Sequence, residues 1–192
     1  MGIKHFWIWF KEQYGEHITT HHRPKISTFG IDTDMLAIDM NGIFHTCAQK
    51  VFRYGNYAPR NKNLITKNRR QPSYRTLEKR LFEAVATEVD LYRRLVNPKK
   101  RLLLCVDGIA GMAKMSQQRQ RRFRSAKESS GGGFDSNCIT PGTRFMNNLS
   151  KYLDWYIRMQ VSVNPEWQHL EVIFSNEKVP GEGEAKCLRR GT

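Results

Sequence analysis

The sequence is short of acid. Its 192 residues carry 18 Asp and Glu against 32 Lys and Arg, a formal charge of +14. So large an excess excludes little by itself but favours polyanionic partners, nucleic acid or an anionic membrane. Cysteine is scarce as well. The four present, Cys47, Cys105, Cys138 and Cys187, are widely spaced with no CxxC pair, which argues against a zinc module and against a secreted disulfide framework. Long apolar runs are missing: none exceeds the length of Leu102 to Val106, far below the roughly 20 residues a membrane-spanning helix needs. The first residues do not follow the charged, apolar, small order of a signal peptide, and Phe6 stands where a myristoylation motif takes Ser or Thr. The expectation is a single intracellular domain over residues 1–192, long enough to bury about two-thirds of its unfolded surface without disulfides.

What is present alternates between strand-like and helix-like stretches. "HFWIWFKEQY" (5–14) reads as a short amphipathic helix and "MLAIDM" (35–40) as a strand ending in an acid, with "GIFHTCAQKV" after it helical. Residues 52–72, with Gly55, Pro59, Pro72 and four asparagines, form a long basic loop. It lies within Lys50 to Arg80, where ten basic residues meet only Glu78 and Tyr54, Tyr57 and Tyr74 offer stacking surfaces. That loop shows no amphipathic period, which disfavours a membrane surface. Tyr74, Leu77, Leu81, Val85, Val89, Tyr92 and Val96 recur at three and four, predicting a helix over 73–96. "RLLLCVD" is a buried-type strand, and a basic helix runs from about Met112 to Lys127 until "SSGGG" (129–133) breaks it. Thr140-Pro141 is read as an N-cap and first helical position, opening a helix with Phe145, Leu149, Tyr152, Leu153 and Tyr156 on one face. "HLEVIFS" (169–175) is a third strand, and "PGEGEAKCLRR" turns through two glycines into a few helical residues. This order implies an α/β domain, a mostly parallel central sheet with helices on both faces.

In such sheets ligands bind beyond the carboxyl ends of the strands. Each predicted strand delivers acid there: Asp39, then Asp107, then Glu182 with Glu184. Any one of them alone also fits a helix cap or a turn. Four together repel unless a cation compensates them, and oxygen ligands suit Mg²⁺ or Mn²⁺. Metal-assisted hydrolysis of a phosphodiester is the chemistry that follows. On the basic helix, Lys114, Gln118, Arg121, Arg122 and Ser125 fall on one stripe, next to Gly108 and Gly111. A solvated face would usually mix signs, and no acid occurs there before Glu128. The alternative is a cradle for a terminal phosphate.

The stretches "LAIDMNGIFH", "VDGIA…AKMSQQRQRRFRSAKE", "FDSNCITPGTRFM" and "PGEGEAK" closely resemble the N-terminal nuclease region of the XRN-type 5′→3′ exoribonucleases, and "MGIKHFWIWF" is similar to that family's start. The likeness covers nearly the whole chain. It implies a PIN/flap-nuclease-like α/β fold and Mg²⁺-dependent, processive removal of nucleotides from single-stranded RNA with a 5′-monophosphate, in RNA decay or processing. Carried over by motif, Asp39, Asp107, Glu182 and Glu184 belong to a metal-binding acid cluster, and Asn41 orients the first of them. Lys114, Gln118, Arg121 and Arg122 match the pocket that selects a 5′-monophosphate, and His45 matches the residue that stacks on the leading base. The chain departs from the family at Gly111-Met112, where Pro-Arg is usual, and at "SSGGG", where a longer charged helical insertion is usual. It also stops at Thr192, before the family's further acids, so the sheet and the metal cluster are expected to be incomplete at the C-terminus. Two functions follow as expectations: a metal-dependent 5′→3′ exoribonuclease, or a catalytically incomplete RNA-binding remnant of one. A structure-specific DNA nuclease of the wider flap superfamily fits the basic helix less well.

Overall fold

A computed structural model describes residues 6–17, 33–58, 72–128 and 134–191. Most of the basic loop (59–71), the "SSGGG" bridge and the first five residues lie outside the described residues. In chain order the elements are α1 (Phe6–Tyr14), β1 (Met35–Asp39), α2 (Met40–Phe52), α3 (Tyr74–Val96), β2 (Arg101–Cys105), α4 (Met112–Glu128), α5 (Arg144–Val163), α6 (Pro165–Gln168), β3 (Glu171–Ser175) and α7 (Gly183–Gly191). The three strands form one sheet in the order β1-β2-β3. Both pairs are parallel and in step, Asp39 lying beside Cys105 and Cys105 beside Ser175. The expected α/β architecture with a parallel sheet is therefore present, and all three strands end at one edge.

β2 shows why a near-continuous apolar run is needed. Strand side chains alternate between faces, and a parallel sheet covered on both faces leaves no polar side. Leu102 and Leu104 join a core with Ile38, Phe44, Val85, Leu149 and Trp167, built with α2, α3 and α5. Leu103 and Cys105 are equally buried but point the other way. There α7 packs on β1 and β2, with the Cys187 thiol hydrogen-bonded to Cys105.

Helix ends follow local chemistry. Asp39 caps α2 by accepting from the Asn41 amide, Ser73 caps α3 by accepting from Thr76, and Asn97 closes α3 at φ 47°. One boundary differs from the sequence expectation. Thr140-Pro141 does not open α5; Thr143 does, its hydroxyl accepting from the Met146 amide. Gly142 sits at φ 87°, outside helical space, so the Pro141-Gly142 pair makes a turn and the helix starts after it. Similarly, Gly183 is the first residue of α7, so that only Gly181, at φ 110°, makes the turn before it. α6 carried no periodic signal at four residues, yet it seats fully buried Trp167. Trp167 donates to Asp90, and buried Arg93 reaches Asp90 and Glu166 while lying over the indole, which ties α6 to α3.

Candidate active site

The carboxyl edge of the sheet is organised by two loops that hydrogen-bond to each other. Val106 donates to the Ser175 carbonyl, Gly108 to the Gly181 carbonyl, and Gly181 back to Ile109. The backbones approach so closely that a Cβ on Gly108 would lie 1.9 Å from the Val179 carbonyl oxygen. Buried Lys186 closes the same joint, its ammonium donating to the Val106 carbonyl at 2.6 Å and to Asn176 at 2.9 Å. The segment after β3 is thus drawn against the segment after β2. Register alone would not have placed Glu182 and Glu184, seven and nine residues past Ser175, beside Asp107.

Asp107 is the most constrained of the four acids. Its two carboxylate oxygens accept from the Asn41 side-chain amide at 2.7 Å and from the Gly183 backbone amide at 2.7 Å, while its own backbone amide donates to Asn41 Oδ1. Asn41 also donates its backbone N–H to Asp39 at 3.1 Å. Its side chain therefore holds Asp107, whereas only its backbone touches Asp39. Gly183 packs against Asp39 so tightly that a Cβ there would meet Oδ1 at 2.6 Å. Desolvation at this joint raises the Asp39 carboxyl pKa, with further upward pressure from Asp107 and Glu184 and an opposing pull from the Asn41 amide. Asp39, Asp107 and Glu184 are thus electrostatically coupled. Glu182 turns aside to Lys114, Nζ to Oε2 at 2.7 Å, and this hydrogen bond raises the lysine pKa. Among the described residues, no three His, Cys, Asp or Glu side chains converge as a ready-made ligand set.

Beside the acids lies a cleft of about 360 Å³ whose walls include Asn41, His45, Asp107, Gln118, Ser136 and Asn137. It brings together the residue expected to stack on a base, one member of the expected phosphate cradle and the best-held acid. Asp107 alone of the four acids lines it. Arg121 and Arg122 sit on α4 at the predicted register, their side chains being outside the described residues. Ser136 and Asn137 went unassigned in the sequence reading. The signal available was "FDSNCITPGT", in which Asp135 accepts from the Asn137 amide and so aims a short polar turn at the cleft.

This architecture has relatives. Residues 1–132 and 128–190 match the family described as XRN 5′-3′ exonuclease N-terminus. The chain is 33% identical over 206 residues to 5′-3′ exoribonuclease 1 of Homo sapiens, covering 98% of this chain and 11% of that protein. It is 36% identical over 202 residues to 5′-3′ exoribonuclease 1 of Schizosaccharomyces pombe, covering 98% of this chain and 14% of that protein. Identity to the 5′-3′ exoribonuclease 2 homolog of Drosophila melanogaster is 36% over 185 residues, 83% of this chain and 18% of that protein. The chain spans less than a fifth of the length of these curated relatives. A parallel α/β sheet with its acids gathered at one edge and a family match along almost all of its length place this chain in the XRN 5′-3′ exonuclease N-terminal family.

Proposed function

We propose that this chain carries the RNA-end site of a metal-dependent 5′→3′ exoribonuclease acting on RNA with a 5′-monophosphate. The observation that carries the reading is the shared cleft, in which Asp107, His45 and Gln118 face one space at the foot of a basic helix with no acid before its last residue, Glu128. Lys114, Gln118, Arg121 and Arg122 bind the terminal phosphate, cation pairing being the strongest common form of phosphate recognition. His45 stacks on the leading base, and Asn41 fixes the direction of the Asp107 carboxylate. The donor set fits a hard divalent cation, since Asp39, Asp107, Glu182 and Glu184 offer only oxygens, and like charge from Asp107 and Glu184 adds to the desolvation that raises the Asp39 pKa. These four residues would hold Mg²⁺ or Mn²⁺, which supplies Lewis-acid neutralisation of the scissile phosphodiester when bound.

The reading is tested with a uniformly labelled RNA bearing either a 5′-monophosphate or a 5′-hydroxyl, in Mg²⁺ and in EDTA. The expected result is Mg²⁺-dependent release of mononucleotides from the monophosphate form alone, abolished by Asp107→Ala with RNA affinity nearly intact. Equal degradation of both RNAs would remove the phosphate-pocket assignment. A second reading, an RNA-end binder without catalysis, is favoured by the ion pair that holds Glu182 on Lys114 and by the two hydrogen bonds that occupy the Asp107 carboxylate. It predicts binding selective for the 5′-monophosphate and no cleavage in Mg²⁺.

A further inference from the structure

A second cleft, about 450 Å³, lies against the first one on the other side of Gln118 and Asn137, which line both. Its volume falls within the roughly 300–1,000 Å³ typical of ligand sites. Its α4 wall is the stripe Met115, Arg119 and Phe123, spaced i, i+4, i+8 and therefore on one helix face. That stripe runs beside the basic stripe of Lys114 and Gln118 but has a different chemistry: a thioether, a guanidinium and a ring. All three groups lie well against flat π-systems. Phe123 is 66% exposed and Ile109, on the facing wall, 63%. Neither residue belongs to the core built by the described residues. Arg119 has no carboxylate partner and Asn137 no side-chain hydrogen bond among the described residues, which leaves donors available along the rim. The cleft is a poor phosphate site, since one cation faces mostly apolar groups.

We propose that this second cleft is a nucleobase site on the RNA path. It takes the base of a nucleotide near the 5′ end, with Phe123 and Arg119 stacking on it and the Asn137 amide meeting its polar edge. The proposal rests on the reading of the neighbouring cleft as the seat of the 5′-phosphate. Three features support it: continuity between the two clefts across Gln118 and Asn137, the positive charge of the chain, and a stripe made of stacking groups. Because a π-face is common to all bases, such a site would be tolerant of sequence.

The test uses the full chain in EDTA and a 5′-monophosphorylated eight-nucleotide RNA, with an abasic nucleotide placed in turn at each of the first five positions. For the unsubstituted chain, affinity is expected to fall about five- to tenfold when the base at one of these positions is removed, the size expected for one lost stack. Phe123→Ala, a change at an exposed position that leaves the core untouched, is expected to weaken intact RNA by a similar factor and to erase the penalty at one position only. Arg119→Ala should do the same less fully, while Lys114→Ala should weaken every RNA equally. A Phe123→Ala chain that binds intact RNA normally, or that retains every abasic penalty, overturns the proposal and leaves the phosphate reading standing. Binding indifferent to both the 5′-phosphate and Lys114→Ala overturns the underlying reading, and the proposal with it.

Discussion

Asp39→Asn separates two jobs held by one residue. Asn caps a helix as well as Asp, so the start of α2 survives while a charge leaves the acid group. Because the Asp39 pKa is raised in the fold from 3.8, the ionised form is the disfavoured one. The cost is absent below the unfolded value and fully present above the raised one. Desolvation is the main cause of the shift, yet Asp39 keeps an exposed face at the sheet edge, so solvent screens the effect and the gain is a fraction of 1 kcal/mol, about 1–2 °C in Tm. Thermal unfolding in EDTA is expected to show the variant more stable at pH 7 and indistinguishable at pH 3. Glu182→Gln tests the pairing of Lys114 with an acid from the other half of the site. Exchanging the ion pair for a neutral side chain is expected to tighten binding of a 5′-monophosphorylated RNA about two- to fivefold in EDTA, the range of a partly exposed salt bridge. Unchanged affinity would mean that Lys114 does not reach the phosphate. That Asp39 and Asp107 stand at one edge of the sheet was legible beforehand, because an acid just after a strand has a fixed direction. The bond from the Asn41 side chain to Asp107, 66 positions away, was not, since nothing local distinguishes it from a bond to Asp39.

At the scale of elements, the close joint between the loops after β2 and β3 depends on a residue without a side chain. Gly108→Ala drives a Cβ into backbone, 1.9 Å from the Val179 oxygen and 3.2 Å from the Glu177 oxygen. Neither of these can rotate away. The expected loss is about 3 kcal/mol or more in urea unfolding, together with a displaced Glu182 and Glu184. Gly111→Ala, three residues on, meets nothing within 4 Å and should change stability by less than about 0.5 kcal/mol. Equal effects at the two glycines would contradict the joint. The sequence shows "VDGIAG" with both glycines alike, and only the packing of a distant segment tells them apart. Helix existence was readable from apolar period in α3 and α5, whereas the start of α5 was misplaced. Thr140-Pro141 and Thr143 both suit the beginning of a helix, and the positive φ of Gly142 decided between them.

For the whole molecule, the proposed function makes charge the term that sets how RNA is met. With Lys114, Arg121 and Arg122 on phosphate, log affinity for single-stranded RNA is expected to fall with log salt at a slope of about −2. The double change Arg121→Gln and Arg122→Gln should flatten that slope to about −0.7. A titration from low to high salt measures both, and an unchanged slope would place these arginines off the RNA. Lys50, held by Glu88 at 2.5 Å and absent from the walls of the cleft beside Asp107, should add nothing to the slope. The sequence by itself determined the α/β class, the parallel strands and the family motifs, because composition, hydrophobic period and short motifs are all local properties of the chain. Tertiary structure alone decided that Asp107 is held by Asn41 and Gly183, that Lys114 meets Glu182, and that two clefts share Gln118 and Asn137. These are contacts across a sheet edge between segments about 20 to 76 residues apart, and no local pattern encodes which partner a side chain will find there.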